Sequence, residues 1–341
     1  MIKTILRIFG LIPFVLWLLK WGILLTVFAS IPLSFWYLQK PPEGRQEIRE
    51  KFNSFKENQL PALSDEIGKW SSKLRLEELT QKAGLSFQQI QPKVRADYLP
   101  EPDHFNPRET SYYVLGGIPH SDIKLTLIKN DGYLLAYDEK TKNPAWVAYR
   151  LYYDHSHQAP PRPDIGFSTD TRTLSRISTR AYTRTGYDRG HMAPSKAIGK
   201  VYGEQAQAET FTMSNVAPQS PGLNRNIWRE LEKTIIDEWV REHQSLWVIT
   251  GPIYSSKRLK FKKSGVQIPT AFFKIITDVT PDAELRTISF IMPQEAHDFD
   301  LIEDYLASVD QVEFLTGLDF FSDLPDDAEN QLEGFTSPSI W

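Results

Sequence analysis

The sequence predicts an α+β fold preceded by a membrane-spanning helix, and three observations carry that expectation. Residues 21–38 form an apolar run of eighteen residues with no charged side chain. From about Ser111 onward, short β-branched and aromatic runs are bounded by turn residues. One long amphipathic segment at 226–243 breaks these runs without the regular strand-helix alternation of a parallel α/β protein. With 341 residues, 41% of them apolar and 24% charged, the chain has ample material for a packed core, which excludes wholesale disorder. Cysteine is absent, which excludes disulfides, Cys-ligated zinc, iron–sulfur clusters and thiol nucleophiles.

At ~1.5 Å rise per residue, residues 21–38 reach ~27 Å, close to the ~30 Å hydrocarbon core of a bilayer. We read 1–40 as an uncleaved membrane anchor contacting lipid through residues 5–38, with Trp17, Trp21, Trp36 and Tyr37 at the interfaces. The rival reading, a cleaved signal peptide, normally has an apolar stretch of only about 7–15 residues. Orientation is contested: Lys3, Arg7 and Lys20 favour an N-terminus inside, whereas Lys40, Arg45, Arg49, Lys51 and Lys56 favour the opposite sense. A hairpin of two short spans broken near Lys20 would need a first arm, 5–19, below the ~17–25 residues of an ordinary span. The expectation is therefore a single-pass protein whose remaining residues lie in the periplasm, outside the cell, or in an equivalent organelle space.

Residues 41–110 are expected to form a helical stalk and linker. Ile48, Phe52 and Phe55, then Ile67, Trp70 and Leu74, recur at helical spacing before Pro92, Pro100, Pro102 and Pro107 punctuate a loop. A main domain is expected over 111–328, with 329–341 as a tail. Within it, Lys124–Ile128, the turn residues Asn130-Asp131-Gly132 and Tyr133–Tyr137 spell a hairpin. Ala145–Tyr149, Leu246–Thr250 and Ala271–Ile276 read as buried strands. Trp228, Leu231, Ile235 and Trp239 mark the apolar face of the helix over 226–243.

Charge is unevenly spread. Residues 41–341 hold 35 basic and 43 acidic side chains, and after Arg286 thirteen acids follow without another Lys or Arg. Between Arg162 and Lys200, eight basic residues face three Asp, and a second basic knot runs through Lys257, Arg258, Lys260, Lys262 and Lys263. Either these are solvated charge runs or they form one anion-binding face. Arg172, Arg176, Arg180 and Arg184 recur every four residues, but the intervening Thr, Ser and Tyr favour a basic loop or ribbon over a helix.

The densest chemistry lies in Tyr187-Asp188-Arg189-Gly190-His191. On a strand, Arg189 and His191 project to one side. An arginine and a neutral imidazole facing one anion suit phosphoryl chemistry, with charge stabilisation from the first and proton abstraction by the second; a structural His beside charges is the alternative. Downstream, Asn224 falls just before or at the start of the expected helix, where capping competes with a role as a hard, neutral ligand for Mg²⁺. Glu232, eight residues on and near the same helical face, is placed to order metal-bound water. His155-Ser156-His157 alternates like a metal pair but lacks a third ligand and reads as exposed loop histidines.

Asp188-Arg189-Gly190-His191, Ser214-Asn215, Pro218-Gln219, Leu223-Asn224, Trp228 and Leu231-Glu232 follow one another in the order and spacing of the DNA/RNA non-specific endonucleases. Val248–Pro252, Ile268-Pro269 with Lys274, Leu315–Phe321 and Leu324-Pro325 resemble the later landmarks of the same family. That resemblance, spanning about 111–328, implies a ββα-metal (His-Me finger) domain with a mixed or antiparallel sheet. It implies metal-dependent hydrolysis of DNA and RNA, with Mg²⁺ as cofactor (Mn²⁺ substituting), little sequence preference and 5′-phosphate products. By the same resemblance His191 is the general base, Asn224 the direct metal ligand, Arg189 a stabiliser of phosphate charge, Glu232 a holder of the metal's water shell, Asp188 an orienting residue and Asn215 a loop fastener. Family members often carry a further catalytic arginine upstream near an aromatic residue, and here the sequence departs from the pattern: the segment from Arg162 to Phe167 offers Arg162 out of the family register, with Arg172 as the fallback, and the position is left open between them. Homodimerisation is compatible with this resemblance. A non-catalytic, membrane-tethered module binding nucleic acid or a partner is the competing class, and intact His191, Asn224 and Glu232 argue against it. A metal-independent hydrolase would need a serine-nucleophile motif such as Gly-x-Ser-x-Gly, which the sequence lacks.

Overall fold

A computed structural model describes residues 92–96, 109–154, 158–255, 259–296 and 299–341. The expected anchor, most of the stalk and linker, and the His155/His157 pair lie outside the described residues. Among the described residues, no helix is long and apolar enough to cross a membrane.

The twelve strands described are β1 (Val94–Arg95), β2 (His120–Ser121), β3 (Thr126–Asn130), β4 (Tyr133–Asp138), β5 (Asn143–Tyr152), β6 (Asp188–His191), β7 (Val216–Gln219), β8 (Ser245–Ile253), β9 (Ala271–Val279), β10 (Glu284–Pro293), β11 (Leu306–Ala307) and β12 (Leu318–Asp319). An eight-stranded sheet runs β1-β10-β9-β8-β5-β4-β3, with β11 added on β10. Its pairings are antiparallel. Asp131-Gly132 makes the β3–β4 turn as expected, with Gly132 at φ 88°, a conformation that L side chains resist. Two short ribbons, β2–β12 and β6–β7, stand apart from the sheet.

Both faces of the sheet are covered. Along β4, Tyr133, Leu135 and Tyr137 join one core while Leu134 and Ala136 join the other, as period-two alternation demands. The first core is closed by α1 (Ser195–Tyr202), with Ala197, Ile198 and Val201, and by α4 (Ile227–Thr234), with Trp228 and Leu231. The second is closed by α6 (Val309–Thr316) and α7 (Asp326–Glu333), through Val309, Val312 and Leu332. Between them in sequence lie α2 (Glu204–Glu209), α3 (Pro221–Arg225) and α5 (Val240–His243). The observed architecture is a mixed α and β fold around an antiparallel sheet.

Two features differ from expectation. The helix over 226–243 does form, but with a π-helical turn at Ile235–Trp239 between α4 and α5. The linker donates an edge strand, because Val94 and Arg95 pair with Leu285 and Glu284. Helix α7 spans 326–333, and beyond it Phe335 is buried and Trp341 packs on Trp239 and His243. These last residues bury aromatic surface that a solvated tail would leave in water.

Candidate active site

Strand β6 carries the Asp-Arg-Gly-His segment and pairs with β7 so that Asp188 faces Gln219 and His191 faces Val216. Gly190 is required here by close approach: a Cβ on it would lie 1.9 Å from Oε1 of Gln219, whose side chain is fully buried. The ribbon's far end is fixed by Asn215. Its Nδ2 donates to the carbonyls of Ala193 and Thr210, and its Oδ1 accepts from the Ala193 amide at 2.8 Å. Gln294, at the end of β10, ties β7 to the sheet: its Nε2 donates to the Pro218 carbonyl and its Oε1 accepts from the Ser220 amide.

Arg189 and His191 share one side of β6, as strand periodicity requires, and Phe167 is their common neighbour. The His191 ring sits 5.0 Å from Phe167 and 5.1 Å from Phe211, and the Arg189 guanidinium lies 5.6 Å over Phe167. Arg162 lies 5.2 Å over Phe211. Burial, reinforced by the Arg162 charge, pushes the His191 imidazole down to about 4. Its Nε2 is buried without a hydrogen-bond partner, as is Nε of Arg189. A neutral imidazole with an unpartnered nitrogen, whose two phenylalanine neighbours each carry a guanidinium group, is chemically equipped to take a proton beside a bound anion.

Asp188, on the opposite side of the strand, holds the next group. Its carboxylate accepts from Arg225 Nε at 2.7 Å, from Arg225 Nη2 at 2.6 Å and from Asn224 Nδ2 at 3.0 Å. The Arg225 hydrogen bonds hold it below the usual carboxylate range. Tying down the amide nitrogen of Asn224 leaves its carbonyl oxygen as the free end, and that oxygen takes no hydrogen bond among the described residues. A hard, neutral oxygen so oriented fits a divalent cation that keeps most of its waters.

Asn224 does not cap the long helix. It lies inside α3, whose N-cap is Ser220, accepting from the Leu223 amide at 3.2 Å. Asn226, at φ −115° and ψ −107°, then breaks the chain path before α4. Asn224 and Glu232 therefore stand on different helices, not on one helical face. Glu232 meets a fully buried Lys274, 4.0 Å from its Oε1, and Lys274 Nζ lies 4.4 Å over the Trp228 ring and 3.4 Å from the Tyr149 hydroxyl. Burial raises Glu232 and lowers Lys274, and each charge partly offsets the shift of the other.

Of the two upstream arginines, Arg162 is the one that shares the Phe211 ring with the imidazole and whose charge acts on it. Arg172 is held by Asp170 through Nε and Nη2, both at 2.8 Å, and by Asn130. The basic stretches converge: Phe261, between Lys260 and Lys262, buries against Tyr182 and Tyr187 at 5.3 and 5.8 Å, so its loop lies beside the arginine-rich segment that leads into β6. That segment is a loop with a 3₁₀ turn at Thr179–Tyr182, as the intervening residues predicted. Sequence reasoning missed Phe211, Arg225 and Gln294, whose partners lie 20, 37 and 76 positions away, and it had no local signal for them.

With this geometry in place, comparison with known proteins decides the family. The DNA/RNA non-specific endonuclease family matches residues 119–327. The chain belongs to this family. Human mitochondrial endonuclease G is 30% identical over 207 residues, covering 57% of this chain and 69% of that protein. A nuclease from Nostoc sp. is 32% identical over 220 residues, covering 61% and 77%. The solved EndoG/EndoGI complex, described by its mechanism of EndoG inhibition, aligns with TM-score 0.54 at 28% identity, over 63% of this chain and 92% of that one. As a non-specific endonuclease family member, the chain shares the nuclease fold around an antiparallel sheet.

Proposed function

We propose that this family member is a metal-dependent endonuclease hydrolysing phosphodiester bonds of DNA and RNA with little sequence preference. The observation that carries the reading is the buried, unpartnered Nε2 of His191, whose ring neighbours Phe167 and Phe211 also carry the Arg189 and Arg162 guanidinium groups. His191 takes the proton of the attacking water while neutral, and the negative charge of a bound phosphodiester offsets the Arg162 charge that depresses its basicity. Arg189 and Arg162 stabilise charge building on the phosphate oxygens. Asn224, aimed by Asp188, would hold a Mg²⁺ ion, for which Mn²⁺ substitutes. A hard cation held there would supply Lewis-acid polarisation of the phosphate and charge stabilisation for the departing 3′ oxygen. Glu232, kept in place by Lys274, would order the water shell of an ion held by Asn224. The exposed arginines of the loop before β6 grip phosphates rather than bases, which needs no sequence readout.

The remaining organisation is also proposed: residues 1–40 anchor the chain in a bilayer, and the nuclease domain faces a non-cytoplasmic space. The human and yeast relatives carry names that place them in mitochondria. Confinement of an unspecific nuclease away from the cell's own nucleic acids supports the same side. Protease added to intact spheroplasts should digest the domain; protection until lysis would reverse the assignment.

The activity is tested by incubating purified protein with plasmid DNA and with RNA, with Mg²⁺ or with chelator, alongside His191→Ala. Degradation in Mg²⁺, loss in chelator and a fall of at least ~10²-fold in the variant are expected. Absence of digestion at every divalent-metal condition refutes the reading.

A further inference from the structure

Far from β6, on the other face of the sheet, five carboxylates gather where α6, β12 and α7 meet. Asp310 and Glu313 lie three residues apart on α6, Glu329 and Glu333 four apart on α7, and Asp319 ends β12. Such spacings put each helical pair on one face. One ligand oxygen each from Asp310, Glu313 and Glu333 lie within 4.8 Å of one another, and the same holds for Asp319, Glu329 and Glu333. Glu333 is the shared member.

No ion pair among the described residues involves any of the five. The sequence explains why: the last Lys or Arg is Arg286, so this region of the chain supplies acid without base. Glu333 is only 5% exposed, its Oε1 is buried with no hydrogen-bond partner, and it offers a carboxylate oxygen to both groups. A buried, unsatisfied carboxylate oxygen beside other carboxylates is costly unless a cation or a proton sits with it. Burial, then the charge of Glu313 and a side-chain hydrogen bond shared with it, then the charge of Glu329, push Glu333 well above the usual carboxylate range, so that without a cation the Glu313–Glu333 pair holds a proton. The Phe320 amide donates to Oε1 of Glu313 at 2.7 Å, which fixes that carboxylate in place.

We propose that the carboxylates converging on Glu333 bind a hard divalent cation, Ca²⁺, at a site separate from the Asn224 centre. The donor set is all oxygen, which suits Ca²⁺ and disfavours zinc or copper. Two oxygens on opposite sides of a Ca²⁺ ion stand about 4.6–5.2 Å apart, given its ~2.3–2.6 Å bonds, so the observed spacing lies within one coordination sphere. Mg²⁺ demands a near-ideal octahedron, whereas these ligands come from two helices and a strand, an irregular set that the more flexible Ca²⁺ sphere accommodates. The bound ion staples α6 to α7 over the core that contains Val312, Phe320 and Leu332. Its role is structural, and it does not depend on the proposed nuclease chemistry.

The test uses the purified full chain in detergent, titrated with CaCl₂ alone at pH 7.5 and followed by calorimetry and thermal unfolding. Saturable binding and a Tm rise of roughly 5–10 °C at a hundredfold excess over Kd are expected in the native protein. Asn224→Ala should keep both. Glu333→Gln should lose the Ca²⁺ response while unfolding, without Ca²⁺, no lower than the native protein, because the repulsion is relieved. Asp319→Asn, at an exposed position that folding tolerates, should weaken Ca²⁺ binding at least tenfold. An unchanged Ca²⁺ response in Glu333→Gln, its loss in Asn224→Ala, or stabilisation by acid with none by Ca²⁺ would each overturn the proposal.

Discussion

Replacing Gly190 by Ala tests whether the β6–β7 ribbon must be packed this tightly. A methyl group there would sit 1.9, 2.4 and 2.6 Å from Oε1, Cδ and Cγ of Gln219, all far inside van der Waals contact. Gln219 is fully buried and cannot swing into solvent, so either its side chain leaves its rotamer or β6 separates from β7. Overpacking of this kind costs about 1–3 kcal/mol. For a domain of this size that lowers Tm by about 2–12 °C. The larger effect should be kinetic: β6 carries both His191 and Asp188, and a displacement near 1 Å at reacting groups can cost ~10²-fold in rate. Thermal unfolding and single-turnover plasmid nicking, measured at a temperature where the variant is folded, read the two effects separately. Gln219→Ala removes the three clashing atoms, so Gly190→Ala/Gln219→Ala should recover stability relative to the sum of the single changes, with a coupling of about 1–3 kcal/mol. Additive single effects, or a Gly190→Ala protein with native Tm and native nicking, would refute the steric argument.

Three other outcomes are expected. Arg162→Ala should lower nicking by at least ~10²-fold with little change in Tm, whereas Arg172→Ala should mainly destabilise, because it strips the largely buried Asp170 of its charged partner and leaves it only the Ser214 hydroxyl and the backbone amide at position 172; the reverse pattern in parallel melts and rate assays would exchange their roles. His191 has a folded pKa of about 4 against an ordinary 6.5, so the unfolded chain binds more protons between those values. Stability should therefore fall as pH drops from about 6.5 toward 4, and His191→Gln should flatten that part of the denaturation profile. Nucleic-acid affinity of a His191→Ala protein should drop steeply between 50 and 200 mM salt if several arginines of the loop before β6 touch phosphate, and a flat response in a filter-binding titration would remove that loop from the interface.

What the sequence determined by itself is what local pattern can encode. The Asp131-Gly132 hairpin with its strands and the apolar face through Trp228, Leu231, Ile235 and Trp239 follow from a few neighbouring residues; the hairpin formed as read, and the helix formed with a π-helical turn at Ile235–Trp239. The Asp-Arg-Gly-His segment and the ordered landmarks after it were enough to reach the family, because conserved chemistry is written in short motifs. Tertiary structure alone decided which distant groups complete them. Whether Arg162 or Arg172 faces His191 depends on where Phe211 and Asp170 lie after folding. Asn224 could be read as a helix cap until Ser220 took that role and Asn226 broke the helix before Glu232. The carboxylates around Glu333 are ordinary surface acids in sequence and become a cluster only when α6 and α7 pack side by side. The physical reason is common to all three. Hydrogen bonds, ring contacts and ion binding act over a few ångströms, and only tertiary packing brings residues 20 to 125 positions apart within that range.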